Sequence, residues 1–193
     1  MAVDPALHAT ELFLSTCSAT EHDLVWAFLP FGPFESFESF HSWFSSLKQS
    51  PKSAHFCIVE NGTNKPVGMA SLVDFDATHR TVEISNFFLC RRAQKAGASY
   101  EAAMLLLKFA FDLLECRRVQ CRVNDRNEKA KHSALKIGFT FEGLWKAEQI
   151  LHKRDASGRT QSFVQDTAYY SVIDAEWPSV MEKLEERIAV HIY

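Results

Sequence analysis

From Cys90 to Phe111 the chain reads CRRAQKAGASYEAAMLLLKFAF: cations, then small residues, then an apolar helix. Arg91, Arg92 and Lys95 lead into Ala96, Gly97, Ala98 and Ser99, and the leucines begin only after them. The first turn of a helix has unpaired backbone N–H groups and the positive end of the helix dipole. Small residues there let an anion come within hydrogen-bonding distance, so the stretch has the chemistry of a phosphate site. It is no Walker A loop, which needs Gly-Lys-Ser/Thr. Nor is it a dinucleotide fingerprint, which needs a Gly-rich turn after the first strand of a βαβ unit. Without a ligand, the same residues are a helix start with solvated cations.

The flanking segments have to position this loop. Arg80–Leu89 before it reads as a strand, and so does RVQCRV after it, where Val119, Cys121 and Val123 alternate with polar neighbours. The helix between them, with Ala102, Leu105, Leu106, Phe109 and Leu113 on one stripe, makes the pair a parallel crossover. His55–Val59 and Val67–Phe75 are strands joined at Asn61-Gly62, and TELFLS (Thr10 to Ser15) reads as a further short strand. Ser18-Ala19-Thr20-Glu21 is a capping box opening a helix with Leu24, Val25 and Phe28 that ends near Pro30. A second helix starts at Ser36 and carries Phe37, Phe40, Trp43, Phe44 and Leu47. Another lies between Asn127 and Ile137 and closes on Gly138. Thr140–Leu151 and Ser162–Ile173 form a long hairpin around Asp155–Gly158. The last helix begins at Glu176-Trp177-Pro178 and carries Trp177, Val180, Met181, Leu184 and Ile188. This order predicts an α+β (α/β) fold over residues 1–193 as one domain, with a central, mostly antiparallel mixed sheet flanked by helices.

Composition narrows the function classes. The chain has 193 residues, 47% of them hydrophobic, and a formal net charge of −3, enough to bury a substantial core and too acidic overall for a nucleic-acid binder. Its five cysteines form no CxxC pair, which reads as reduced thiols, and His41, His55, His79 and His132 have no metal-ligand spacing, so no metal is expected. MAVDPALHATELF does not resemble a signal peptide. Ala102–Leu114, the most apolar stretch, is interrupted by Lys108 and Asp112 and is too short to span a bilayer. The expectation is a soluble, cytoplasmic protein, monomer or homodimer, with no nucleic-acid or membrane partner.

The ordered set of motifs resembles the GNAT superfamily of N-acetyltransferases, and within it the RimJ/RimL branch. Gln94–Ser99 is similar to the Q/R-x-x-G-x-G/A loop that holds the pyrophosphate of acetyl-coenzyme A, and Glu101-Ala102 follows as in the family. NEKAKHSALKIGF (Asn127 to Phe139) resembles the branch's N-x-x-S…LGF segment, continued by Phe141-Glu142-Gly143. Asp166-Thr167, Glu176-Trp177-Pro178 and WAFLPFGPF (Trp26 to Phe34) resemble its other signatures. The resemblance covers nearly the whole chain. It implies the GNAT fold, acetyl-CoA as the cofactor, and transfer of an acetyl group to an amine on a small molecule. It further implies a cofactor site made of Phe88, Leu89, Arg92, Gln94, Lys95, Ala96, Gly97, Ala98, Ser99 and Asn127. Asn127 would bond the pantetheine arm, a role compatible with capping the following helix.

Three positions depart from the pattern. Ser99 replaces the second small Gly/Ala of the loop, Ala130 stands where the branch has Ser, and Ala134 stands where other members carry the Tyr that protonates the departing thiolate. Tyr100 is the nearest loop Tyr, and no general acid is evident. For a base, the resemblance points to Glu83, on the strand before the loop. A carboxylate beside an apolar pocket has a raised pKa and accepts a proton from an ammonium, directly or through water. The same Glu is equally explained by a cross-strand Arg, and Glu148 and Asp166 are lesser candidates. Much of the aromatic density from Trp26 to Phe44 reads as core. Phe31 and Phe34, in a loop with Gly32 and Pro33, are the residues expected to wall the acceptor site. Two other readings remain at this level: a GNAT-fold protein that has lost or changed its transferase chemistry, and an interaction domain.

Overall fold

The computed structural model describes residues 1–17, 25–47, 52–95, 97–154 and 160–192. The helix start expected at Ser18–Glu21, with Leu24, and the hairpin tip at Asp155–Gly158 lie outside them. Six strands form one mixed sheet in the order β1-β2-β3-β4-β6-β5. They are β1 (Ala54–Val59), β2 (Pro66–Asp76), β3 (Thr81–Leu89), β4 (Arg118–Asn124), β5 (Thr140–Arg154) and β6 (Thr160–Ile173). Every pairing is antiparallel except β3 with β4, the crossover made by the central helix. The expected central, mostly antiparallel mixed sheet is the one observed.

The first element corrects the sequence reading. TELFLS is not a strand; it belongs to α1 (Pro5–Thr16). Asp4 caps that helix by accepting from the Ala6 N–H at 3.0 Å, and Pro5, which has no N–H to lose, sits at its first position. His8, Ala9, Leu12 and Thr16 then fall on one buried face, a period too long for the local apolar run to reveal. Next comes α2 (Phe37–Ser46), capped by Ser36 as expected and burying Phe40 and Phe44.

A second correction concerns α3 (Ala98–Lys108), which continues as a π-helical turn, Phe109–Leu113. Of the stripe expected there, Leu106 is buried and Ala102 and Phe109 are half-buried, but Leu105 and Leu113 are exposed. The inward face is Ala103, Leu106, Leu107 and Ala110. A helix apolar on most sides has no single phase in sequence, and the wider turn shifts the phase again at its end. Two further helices follow, α4 (Glu128–Ile137) and α5 (Trp177–Ile192).

The core divides between the two faces of the sheet. On one, Ala70, Leu72, Val82, Val119 and Val172 meet α3 and the α5 residues Trp177, Val180 and Leu184. On the other, Cys57, Met69 and Phe88 meet α1, α2 and the fully buried Trp26, whose indole N–H donates to the Thr16 carbonyl at 2.8 Å.

Candidate active site

The sheet opens between its two parallel strands. β3 and β4 are paired only over Thr81–Glu83 and Arg118–Gln120. Beyond that point β3 follows β2 as far as Leu89 opposite Gly68, while β4 follows β6 as far as Asn124 opposite Thr167. A fork results, with Glu83 and Gln120 at its closed end. From Ile84 to Leu89 the main chain of β3 on that side has no β4 partner, so its polar groups are available to another chain-like molecule. Three register shifts surround the fork, each containing a residue in the left-handed region: Asp74 (φ 54), Asn86 (φ 51) and Ala147 (φ 54). Bulges of this kind redirect side chains, and such backbone is retained where the surroundings hold it in place.

At the closed end, side chains from five strands meet. Glu83 is only 3% exposed, and its Oε2 lies 2.6 Å from Arg122 Nε, an ion pair without an aligned hydrogen bond. Arg122 also approaches Asp74 at 3.6 Å and Glu148 at 3.9 Å. The Tyr169 hydroxyl donates to Glu148 Oε1. Burial pushes the Glu83 carboxyl up, and the nearby guanidinium of Arg122 opposes this without cancelling it. A buried carboxyl held above its usual range can exchange a proton nearer to neutral pH than a solvated one. Asp166 serves the backbone instead, since its Oδ1 accepts from the Ala147 N–H at 2.7 Å and fixes the β5 bulge that carries Glu148.

The open end is made of backbone and helix ends. A 3-10 turn, Ala93–Lys95, leads to Gly97, which caps α3 with φ 70, a conformation that costs other residues strain. Ala98 and Ser99 form the first turn of α3. Gln94 donates from Nε2 to the Leu89 carbonyl at 2.8 Å and accepts from Lys129 Nζ, tying the turn to both β3 and α4. Arg92 is exposed and lies 4.0 Å from Glu60. Phe88 and Leu89 bury their side chains in the core, Phe88 with its ring 4.9 Å from Trp26, so what they offer a ligand is main chain. Ala96 and the side chain of Lys95 lie outside the described residues. Asn127 caps α4, accepting from the Ala130 N–H at 3.0 Å.

Ala130 is in that same turn, and Ala134 is buried in the main core. Tyr100 lies beneath Arg187 of α5, 5.9 Å from its ring centroid, and packs on the core. Phe31 and Phe34 pack on Trp43, with ring centroids 4.4 and 4.9 Å away, inside the aromatic cluster around Trp26. A cavity of about 420 Å³ at the end of β4 is lined by Ala27 and Phe28, by Asn124, Asp125 and Arg126, and by Leu151, Phe163 and Asp166 of the hairpin. From the loop's aromatic segment it is Phe28, two residues before Pro30, that reaches it.

Arg122, Asp74 and Tyr169 escaped the sequence reading. Period-2 alternation puts Arg122 opposite the Val119/Cys121/Val123 face, but bringing it to Glu83 requires the parallel register of β3 and β4, which no local pattern encodes.

Comparison with known proteins adds independent findings. A sequence-family profile described as an acetyltransferase (GNAT) domain matches residues 4–140. YdaF of Bacillus subtilis (strain 168), named as a ribosomal N-acetyltransferase, is 31% identical over 110 residues, 57% of this chain and 55% of that protein. Spermidine N(1)-acetyltransferase of Escherichia coli (strain K12) is 26% identical over 98 residues, 51% of this chain and 50% of its own length. The chain thus spans about half the length of the curated relatives it matches. A GCN5-related N-acetyltransferase from Brucella melitensis superposes with TM-score 0.85 at 23% identity, covering 96% of this chain and 79% of that one. The Vibrio cholerae spermidine N-acetyltransferase in complex with CoA and spermine gives 0.67 at 17% identity, covering 92% and 96%. These two structural likenesses are of fold.

Proposed function

The chain belongs to the GNAT acetyltransferase family, and from that premise we propose that it transfers an acetyl group from acetyl-CoA to the amine of a small molecule. The observation that carries the proposal is the fork: a cradle of free backbone and a Gly97-capped helix at one end, a buried carboxylate at the other. The cofactor's thioester supplies the activated acetyl group. In this reading the N–H groups at Gly97, Ala98 and Ser99 receive its pyrophosphate, with Arg92, Gln94, Lys95 and Ala96 around them. The free edge of β3 at Phe88 and Leu89, together with Asn127, orients the pantetheine arm. Glu83 takes the proton of the acceptor's ammonium, so that a neutral amine meets the thioester, and the segment with Phe31 and Phe34 walls the acceptor side. Holding the two partners in line supplies much of the acceleration, which suits a site with alanine at positions 130 and 134.

One observation favours a second reading. Arg122 holds Glu83 in an ion pair, as a purely structural carboxylate would be held, and a chain that binds acyl-CoA without transferring it would keep that pair. Melting curves with CoA and acetyl-CoA, beside a screen of amines followed by release of free thiol, separate the two. A raised melting temperature with thiol release supports transfer. A raised melting temperature without release for any amine supports binding alone, and no shift at millimolar ligand removes the cofactor assignment.

A further inference from the structure

The free edge of β3 owes its shape to a bulge, and three side chains outside the transfer chemistry are attached to it. Between Ser85, opposite Ser71, and Phe88, opposite Met69, β3 sets Asn86 and Phe87 against one residue of β2. The extra residue reverses the alternation of the strand. Val82 and Ile84 pack on the α3 side, so Glu83 faces the other way, and Phe88, an odd number of positions on, joins the α1 and α2 side with it. The same step decides which main-chain groups of Phe88 and Leu89 face the fork. At the bulge Asn86 is left-handed, with φ 51, a conformation asparagine adopts more readily than most residues. Its Nδ2 donates to Ser71 Oγ at 3.2 Å, and that oxygen lies 2.7 Å from His55 Nδ1 on β1. Ser71 is fully buried, and its hydroxyl has no other partner among the described residues. With Asn86 donating to the oxygen, the hydroxyl proton goes to His55 Nδ1, which requires a neutral imidazole with its proton on Nε2. A protonated imidazole would donate from Nδ1 instead, and the buried hydroxyl proton would lose its acceptor. His55 is half-buried on the wall of a cavity that Met1, Asp4, His8, Leu47 and Ser53 also line. The titratable or charged groups facing it among the described residues are Asp4, His8 and the Met1 amino group. Burial pushes its imidazole below the ordinary value.

On the acetyl-CoA reading above, we infer that His55, Ser71 and Asn86 are positioning residues for the cofactor. Their chain of hydrogen bonds holds the β3 bulge in the shape that CoA binds, and protonation of His55 releases it. Affinity for CoA is therefore full while His55 is neutral and falls as pH drops through its titration.

The test is calorimetric binding of dephospho-CoA between about pH 8 and about pH 5. This probe lacks the 3′-phosphate, whose own ionisation near about pH 6 would otherwise add to the profile. Wild-type affinity should fall roughly tenfold on acidification. His55→Asn keeps an acceptor oxygen near the place of Nδ1 and does not titrate. It should bind within about threefold of the wild type at the alkaline end and lose the acid limb. Ser71→Ala breaks the chain and should bind roughly tenfold more weakly at the alkaline end, with a melting curve recorded beside it. If Ser71→Ala does not fold, the profiles of the wild type and His55→Asn decide the matter. In the ligand-free protein at the alkaline end, nitrogen NMR shifts should report His55 as the Nε2–H tautomer. A wild-type profile without an acid limb, a limb that survives in His55→Asn, full affinity in a folded Ser71→Ala, or an Nδ1–H tautomer overturns the inference while cofactor binding stands. Absence of dephospho-CoA binding at every pH removes the cofactor reading and the inference with it.

Discussion

The two ends of the fork are built from different materials. The open end relies on a left-handed glycine, the first turn of a helix and an unpaired strand edge, and Arg92 beside it is exposed. The closed end relies on ionisable side chains from β2, β3, β4, β5 and β6, brought together by bulges and by a parallel register. Backbone groups are fixed dipoles that bind phosphate whatever the pH. Side chains in a dry site can be tuned, and here burial moves a carboxyl upward. A site that must hold a constant ligand at one end and move a proton at the other has reason to use both.

Changes at the closed end should therefore affect rate, and changes at the open end affinity. The largest effect is expected for Glu83→Gln. Its kcat should fall by roughly two to four orders of magnitude with CoA affinity barely changed, as measured by steady-state kinetics and calorimetry. If Glu83 is the base, its raised carboxyl should make wild-type activity climb as pH rises and that group loses its proton. The Gln variant should lack this limb and recover only as the amine itself deprotonates. Full activity in the variant would return Glu83 to a structural role.

Gly97→Val tests the other end. Its side chain would enter the space above the N–H groups of α3, so CoA affinity should drop by roughly a hundredfold. Leaving glycine at φ 70 should cost only about 1–2 kcal/mol of stability, readable in denaturant unfolding. Unchanged CoA affinity would mean that the loop binds nothing there.

A purely structural glycine provides the next step down. Gly138 caps α4 at φ 114, and a Cβ there would come within 2.9 Å of Val180 on α5. Gly138→Ala should lower stability by roughly 1–3 kcal/mol while leaving CoA affinity as it was, unlike the change at Gly97.

The smallest effect comes from a carboxylate on the same sheet that shifts the opposite way. Glu142 accepts from Arg118 at 2.7 Å and from Ser171, and the hydrogen bond to Arg118, more than any other cause, holds its carboxyl down at about 2, against an ordinary 4.5. Its contribution is full above the ordinary value and is lost as pH falls through the interval down to about 2. For Glu83 the sign reverses: its raised carboxyl favours the folded state below the ordinary value, and that preference fades as pH rises. Because the Glu142 side chain is 38% exposed, solvent screens the pair, and Glu142→Gln should cost no more than about 1 kcal/mol at neutral pH. Acid unfolding curves should show the variant and the wild type converging toward pH 2.

What the sequence determined by itself was whatever lies within one stretch of chain. The loop from Gln94 to Ser99, the caps at Ser36, Asn127 and Gly138, and the alternation in RVQCRV are local patterns, because the forces behind them act between residues a few positions apart. The GNAT fold followed from the order of these patterns, and so did the place of the loop proposed as the phosphate cradle. Helix phase was less secure: Thr10–Ser15 and the stripe of α3 are apolar runs whose inward face only packing selects. Glu83, Glu148 and Asp166 stood out in the sequence as candidate carboxylates, but which charges meet at the closed end was decided by tertiary structure. Glu83 and Arg122 are partners because β3 and β4 run parallel with Glu83 beside Gln120, and Glu148 joins them because three residues of β5 stand against one of β6. Register and bulge are settled by the burial of whole sheet faces, so the charges that meet at the fork are consequences of the core beneath them.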